Sequence, residues 1–383
     1  MNKKKIRQIM EFGIKRFFFR ILVSIKYFRV QKEARGKILK YSSISERDIT
    51  NRDYLRMDFT EVWKKSFLSY NKYKPREVNI MIDHLRDNNV YLVKKYYEQE
   101  IPRDEPILIC NVKNDLERVK MLVEHHRKLG VKYFAFLDNM SVDGTFEWLQ
   151  EQPFDLFRVE EQYSSVIRAM WITKIASFYN LNRWFITIDS DELLVYDRFE
   201  TKKIQDVITC FKEKNLDRGM GFMIDMYARS SNLKDIDSHR DIYKTYNIFD
   251  TDGYIREKGI LGTKIHGGPR ERYFGEYALM TKYPLFYWRS GEINRYHYIF
   301  PGEDNQDERC YLGLLHYKFI DGDYEKIKKI VEDGNYARGS ALYKTYLKGI
   351  NEDGKISFCY KGSRNLNESR DLLEIEIFDS LWD

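Results

Sequence analysis

The chain predicts an α/β fold in which a mostly parallel sheet is flanked by helices, with a basic helical segment ahead of it and helices behind. Three observations predict it. From Glu105 onward, short runs rich in aromatic and β-branched residues alternate with segments of helical period. The order strand, helix, strand repeats several times, which implies parallel neighbours joined by right-handed crossovers. Two of the runs end in acidic clusters about fifty residues apart: Asp138 to Asp143 in LDNMSVDGT, and Asp189, Asp191 and Glu192 in WFITIDSDELLVY. In open α/β sheets, residues just past the carboxyl ends of the strands line the ligand crevice.

Ile107–Cys110 reads as the first strand. Asn114 with Glu117 forms a capping-box pair ahead of a helix, whose apolar positions Leu116, Val119, Leu122, Val123 and Leu129 keep helical spacing up to Gly130. Tyr133–Leu137 is the next strand, and the Asp143-Gly144 turn starts a short helix. Asp138 and Asp143 can serve as turn and cap residues, and Asp143 reads best as a cap. Leu156–Val159 is a third strand. A helix containing Trp171, Ile175 and Phe178 follows, and Trp184–Ile188 delivers the Asp-x-Asp. Tyr324 to Lys348 reads as helical and carries no chemistry of its own.

At 383 residues the chain accommodates one large α/β domain or two smaller ones. Its net charge of +6 hides an asymmetry: residues 1–40 hold thirteen Lys and Arg against two Glu, so the remainder is mildly acidic. In that segment Met10, Ile14, Phe17, Phe18, Ile21, Leu22, Ile25 and Phe28 recur at helical spacing among Lys15, Arg16, Arg20 and Lys26. No stretch approaches the roughly 20 apolar residues that span a bilayer. Arg20 splits the apolar run and no small-residue cleavage site follows, which argues against a signal peptide. The pattern fits a basic amphipathic helix lying on an anionic membrane surface at the cytoplasmic face. An ordinary helix packed on the body with a solvated basic face fits it too. The acidic body and the lack of a recognition module argue against nucleic acid as a partner. Cys110, Cys210, Cys310 and Cys359 have neither metal-ligand nor disulfide spacing, as expected of cytosolic thiols buried as small hydrophobes. The expected division is 1–40 membrane-surface segment, 41–104 extension, 105–320 catalytic body and 321–383 carboxyl-terminal helical region.

The second acidic cluster is the sharper signal. An Asp-x-Asp leaving a strand brings two hard oxygen ligands to one Mg2+ or Mn2+ and leaves coordination positions for a diphosphate. Acidic pairs after strands also serve as turn formers and caps. Here, however, Asp189, Ser190, Asp191 and Glu192 lie between two strongly apolar segments, and three carboxylates so close repel unless cations compensate them.

These residues carry a resemblance. The stretch KNDLERVKMLVEHHRKLGVKYFAFLDNMSVDGTFEWL resembles the start of a glycosyltransferase family 2-like domain, in the branch resembling plant and animal family 92 enzymes. The likeness continues through Trp171, DSDELLVY, Asp225-Met226-Tyr227, GGPRERYFG (267–275), TKYPLFYW (281–288) and LLHYKF (314–319), covering roughly residues 105–365. Two departures stand out: Asp115 where the family usually has Glu, and Ser190 where Ala is common.

The resemblance implies the GT-A (Rossmann-like) fold, a nucleotide-sugar donor, Mn2+ or Mg2+ as cofactor, and inversion at the anomeric centre. It further implies that Asn114, Asp115, Asp138 and Asn139 bind the nucleoside, that Asp189 meets ribose and metal, and that Asp191 binds metal directly. His316 is implied as a third metal ligand, although a lone His is more often structural. Charge on a departing diphosphate needs compensation, for which Arg168, Arg270, Arg272, Lys282 and Lys318 are candidates, Arg270 first among them. Solvated surface charge is the other reading of each, best suited to Arg272 and Lys318. An inverting transfer needs a carboxylate to take the acceptor proton. Asp225 leads, at the end of the apolar GMGFMI run, with Glu192 and Glu276 as alternatives and His297 orienting the acceptor. A buried structural acid is the competing reading of Asp225. Tyr227, Tyr287, Trp288 and Tyr298 can stack on sugar rings, although aromatics at alternating strand positions are usually core.

The sequence therefore reads as a membrane-associated transferase of sugar from a nucleotide donor to a glycan or lipid-linked glycan. Its rivals are a metal-dependent nucleotidyl- or phosphotransferase and a non-catalytic glycan-binding scaffold.

Overall fold

The computed structural model describes residues 53–54 and 90–383, apart from 164, 237–240, 260–261, 291, 296 and 301–308. The expectations for residues 1–40 therefore lie outside the described residues. So does most of the expected extension.

The first strands in chain order are β1 (Asp53–Tyr54), β2 (Val90–Lys94), β3 (Ile107–Val112), β4 (Tyr133–Asp138), β5 (Asp155–Val159), β6 (Arg183–Asp189), β7 (Glu192–Val195) and β8 (Arg218–Asp225). Small strands follow: β9 (Ser231–Asn232), β10 (Ile248–Asp250), β11 (Tyr254–Lys258) and β12 (Thr263–Gly267). Then come β13 (Thr281–Trp288), β14 (Ile293–Arg295), β15 (Tyr298–Phe300), β16 (Leu312–His316), β17 (Lys355–Ile356) and β18 (Ser363–Asn365). One ten-stranded sheet runs β1-β2-β5-β4-β3-β6-β13-β8-β16-β7. β5, β4, β3 and β6 are mutually parallel, and β8 and β16 run the same way. β2, β13 and β7 run against them. The sheet is thus mostly parallel and α/β in class.

Local sequence explains the expected elements. In β3, ILICNV is buried at every position, as a central strand covered on both faces must be. Helix α1 (Leu116–Lys128) buries Arg118, Val119, Leu122, Val123, His125 and His126, a single face at helical spacing. It stops at Gly130, whose φ of 90° suits a residue without a Cβ. Helices α2 (Thr145–Glu151) and α3 (Ser165–Phe178) then connect β4 to β5 and β5 to β6. Helices α4 (Ile204–Glu213), α5 (Ile242–Thr245) and α6 (Gly268–Phe274) follow. The region read as one helix from Tyr324 is two, α7 (Tyr324–Asp333) and α8 (Ala337–Gly349), because Gly334 ends the first at φ 63°.

Three expectations need correction. Asn114 forms no capping box with Glu117. Its φ is 50°, and its side-chain oxygen accepts from Val142 N at 2.8 Å, so the connection after β4 claims it. The sheet begins before Glu105, because β2 pairs antiparallel with β5. Nor does the chain divide at residue 320. β17 and β18 pair with β9 and β10, and Leu372, Ile375, Phe378 and Leu381 lie in the main core. The described residues from 90 to 383 fall in one compact unit.

Asp143, by contrast, acts at two helix starts. One of its oxygens accepts from Thr145 N at 3.0 Å and the other from Leu116 N at 3.3 Å, which ties α1 to α2. The four cysteines are free thiols. Cys110 and Cys310 are buried, but Cys210 is partly exposed and Cys359 exposed.

Candidate active site

Strand register assembles the site. Glu192 of β7 lies opposite His316 of β16, and His316 is in register with Asp225 of β8. One row across three strands therefore carries Glu–His–Asp. Asp191 precedes that row in the two-residue turn after β6, and its carbonyl accepts from Tyr317 N at 2.9 Å. Asp191 Oδ2 lies 3.5 Å from His316 Nε2 and 3.2 Å from Lys318 Nζ. The ligand atoms of Asp191, Glu192 and His316 fall within 4.8 Å of one another.

Asp189 stands outside that group. One oxygen accepts from Arg168 at 2.5 Å, and the other from Lys282 Nζ at 2.7 Å. Lys282 also donates to Glu192 at 2.5 Å, so a buried lysine bridges the two carboxylates. Burial raises the Asp189 pKa, but Arg168 and Lys282 outweigh it and hold the group well below the usual carboxylate range. Burial likewise opposes ionisation of Asp191, and Lys318 and His316 overcome it. Glu192 is raised, because burial and Asp189 outweigh Lys282.

Asp115 joins from the start of α1. Its Oδ1 accepts from Arg118 at 2.9 Å and Lys326 at 2.8 Å, and its Oδ2 accepts from Ser190 Oγ at 2.5 Å. Those two cations hold its pKa down despite burial. Arg118 also binds Asp323 and donates to Tyr317 O at 2.9 Å, which anchors the chain just after His316. Sequence reasoning missed Arg118, Asp323 and Lys326. The available signal was an arginine on the apolar face of α1, in line with Leu122 and His125.

The other expected residues separate. Asp225 is buried with both oxygens engaged, Oδ2 by Arg270 Nε at 2.7 Å and Oδ1 by His316 Nδ1 at 2.6 Å. Burial raises its pKa, but Arg270 and His316 outweigh it and hold it below the ordinary value. A carboxylate so occupied is a poor proton acceptor. Arg270 is 5 % exposed and faces Asp225, Tyr346 OH at 3.4 Å and Met280 Sδ at 2.9 Å, so its guanidinium holds a carboxylate rather than awaiting a phosphate. Arg272 binds Asp250 and Phe358 O.

Asp138 and Asn139 are fully buried at the end of β4. Asp138 accepts from Ser141 N at 3.3 Å, and Asn139 Nδ2 donates to Glu161 O at 2.8 Å. Both build the turn, which leaves them little surface for a nucleoside. Burial raises the Asp138 pKa. Glu276 is exposed, with Thr345 Oγ1 at 3.5 Å. His297 lies beside Thr281 O at 2.7 Å, and burial with Lys282 nearby lowers its pKa to about 3. Tyr227, Trp288 and Tyr298 are buried and Tyr287 partly so, and Tyr227 OH binds Asp250 and Ser363. Tyr227, Trp288 and Tyr298 are packing residues.

The donor set fits a divalent cation. An imidazole nitrogen with carboxylate oxygens suits a transition ion such as Mn2+ better than the all-oxygen preference of Mg2+. Two ligands about 2.1–2.2 Å from one ion stand roughly 3.0–3.5 Å apart, which the Asp191–His316 separation meets.

No family model matches the chain, and no curated protein matches it. Among solved structures, a match is a mannosyltransferase from Pyrobaculum calidifontis in complex with GDP-Man and Mn2+. It is 10 % identical, covers 76 % of this chain and 81 % of its own, and superposes with a TM-score of 0.27. So loose a likeness assigns neither ligand nor activity here.

Proposed function

We propose that the chain is a divalent-metal-dependent glycosyltransferase acting on a nucleotide-sugar donor. The observation that supports this most is the Asp191, Glu192 and His316 cluster at the carboxyl ends of β6 and β16, with Lys318 beside it. Asp191 and His316 would hold the ion, with Glu192 next to them. A bound ion would draw charge from the departing diphosphate oxygens. Lys318, with its side chain 22 % exposed, and Lys326, at 37 %, are the cations placed to meet that diphosphate. Arg168 and Lys282 keep Asp189 ionised and fix the turn that presents Asp191. Asp115, through Ser190, braces the same turn.

The acceptor is proposed to be a glycan or lipid-linked glycan, and residues 1–40 are proposed to hold the enzyme to an anionic cytoplasmic membrane face. No helix among the described residues is long and apolar enough to cross a membrane. Deleting residues 1–40 should abolish co-sedimentation with anionic vesicles; unchanged sedimentation would sink the membrane role.

The test of the reaction is a nucleotide-sugar panel scored by thermal shift with and without Mn2+, followed by product analysis. A donor should stabilise the protein only with metal and release an intact nucleoside diphosphate. Cleavage within the phosphate chain would make the protein a nucleotidyltransferase instead.

A further inference from the structure

We propose that Asp225 is a positioning residue. It accepts a hydrogen bond from Nδ1 of His316, which leaves Nε2 as the ring nitrogen facing Asp191 and an ion. The inference rests on the metal reading above.

Three observations carry it. First, Asp225 and His316 share one row of the sheet, on parallel neighbours β8 and β16, so the backbone fixes their approach. Second, the Asp225 carboxylate is clamped from behind. Arg270 Nε donates to Oδ2 at 2.7 Å, and Arg270 is itself held by Tyr346 OH and Met280 Sδ. A carboxylate paired with a guanidinium is ionised and can only accept, so the ring atom 2.6 Å from its other oxygen carries a proton. Third, the two sides of the imidazole differ. Nδ1 sits at hydrogen-bond distance from Asp225, whereas Nε2 stands 3.5 Å from Asp191 Oδ2, beyond the usual range of an N–H···O bond. That longer separation is the one two ligands of a single ion would keep.

A ligating histidine needs its second ring N–H fixed by an acceptor, and the acceptor sets both tautomer and orientation. Asp225 supplies that acceptor here. Arg270 fixes the acceptor in turn.

Asp225→Asn is the diagnostic variant, because it keeps size and shape but replaces one acceptor with a donor. The Asn oxygen will go to charged Arg270. Its NH2 then faces Nδ1, which must accept, and the proton moves to Nε2, closing the ligand position. Mn2+ affinity should be read by EPR of free Mn2+ on the full chain, with metal-free thermal unfolding as control. The expected result is a Kd weakened about 10- to 100-fold, in a variant whose metal-free unfolding shows it still folded at the assay temperature. A Kd within about twofold of wild type would overturn the positioning role, provided wild-type binding is lost in Asp191→Ala. Wild-type protein showing no Asp191-dependent Mn2+ binding would overturn the metal reading and the positioning role together. Should Asp225→Asn fail to fold, the imidazole 15N shifts of metal-free wild type decide. A protonated Nδ1 supports the role, and a bare Nδ1 overturns it.

Discussion

Ser190 Oγ lies 2.5 Å from Asp115 Oδ2, joining the turn of the Asp-x-Asp to the start of α1. The hydroxyl donates to a carboxylate that also accepts from Arg118 and Lys326. The pair should therefore be energetically coupled. Ser190→Ala should cost about 1–2 kcal/mol in urea unfolding, as a hydrogen bond to an ionised partner. In an Asp115→Asn background the same Ser190→Ala change should cost less, a coupling on the order of 1 kcal/mol. Strictly additive effects would show that the two positions act independently.

Lys282 bridges Asp189 and Glu192 with its own charge buried. Lys282→Met leaves two carboxylates short of a cation, and breaking a buried pair this way costs about 3–5 kcal/mol. Lys128→Met, which removes an exposed partner of Glu124, should leave the urea midpoint where it was. Equal midpoints for the two variants would remove the bridge as a determinant of stability.

His125 and His126 grip β7, the strand that follows the acidic turn. His125 Nε2 lies 2.7 Å from Leu194 O, and Leu194 N donates to His126 Nε2 at 3.3 Å. Burial lowers the His125 pKa to about 4 and that of His126 well below its ordinary value. Both folded values lie under the unfolded value, so the unfolded chain binds protons first. Stability is full above about pH 6.5 and falls as pH drops toward 4, by on the order of 3 kcal/mol for His125. His125→Gln keeps a donor for Leu194 O and should flatten that slope. A urea midpoint constant across this window in wild type would contradict the assignment.

Gly267 opens the turn into α6, the helix that delivers Arg270. Its φ is 108°, and a Cβ there would run into the backbone carbonyl oxygen of Gly253. Gly267→Ala should cost about 3 kcal/mol or more and weaken Mn2+ binding through Arg270 and Asp225. Wild-type unfolding in the variant would show that the turn can relax.

What the sequence made legible was local. β3, α1, β4 and β6 were readable because apolar runs and Gly130 mark them without reference to the rest of the chain. The Asp191 turn was readable for the same reason, since flanking apolar strands expose it. Pairing between distant segments was not readable. Nothing local says that β13 inserts antiparallel between β6 and β8, or that β2 joins the far side. The partnerships at the site were hidden for the same reason. Asn114 was given to Glu117 by spacing and belongs to Val142 by tertiary contact. Asp225 looked like a base because its two partners, Arg270 and His316, lie 45 and 91 residues away. Arg270 looked free because its carboxylate was equally remote.

The central claim is that Asp191 and His316 form a metal site serving a nucleotide-sugar donor. The most direct measurement is nucleoside diphosphate release from the donor that stabilises the protein, with and without Mn2+, in wild type and Asp191→Ala. Mn2+-dependent release is expected in wild type, with a loss of at least about 100-fold in the variant, the effect of removing one electrostatic contributor to such a transition state. Release that proceeds equally with chelator present, or that survives Asp191→Ala, would contradict it.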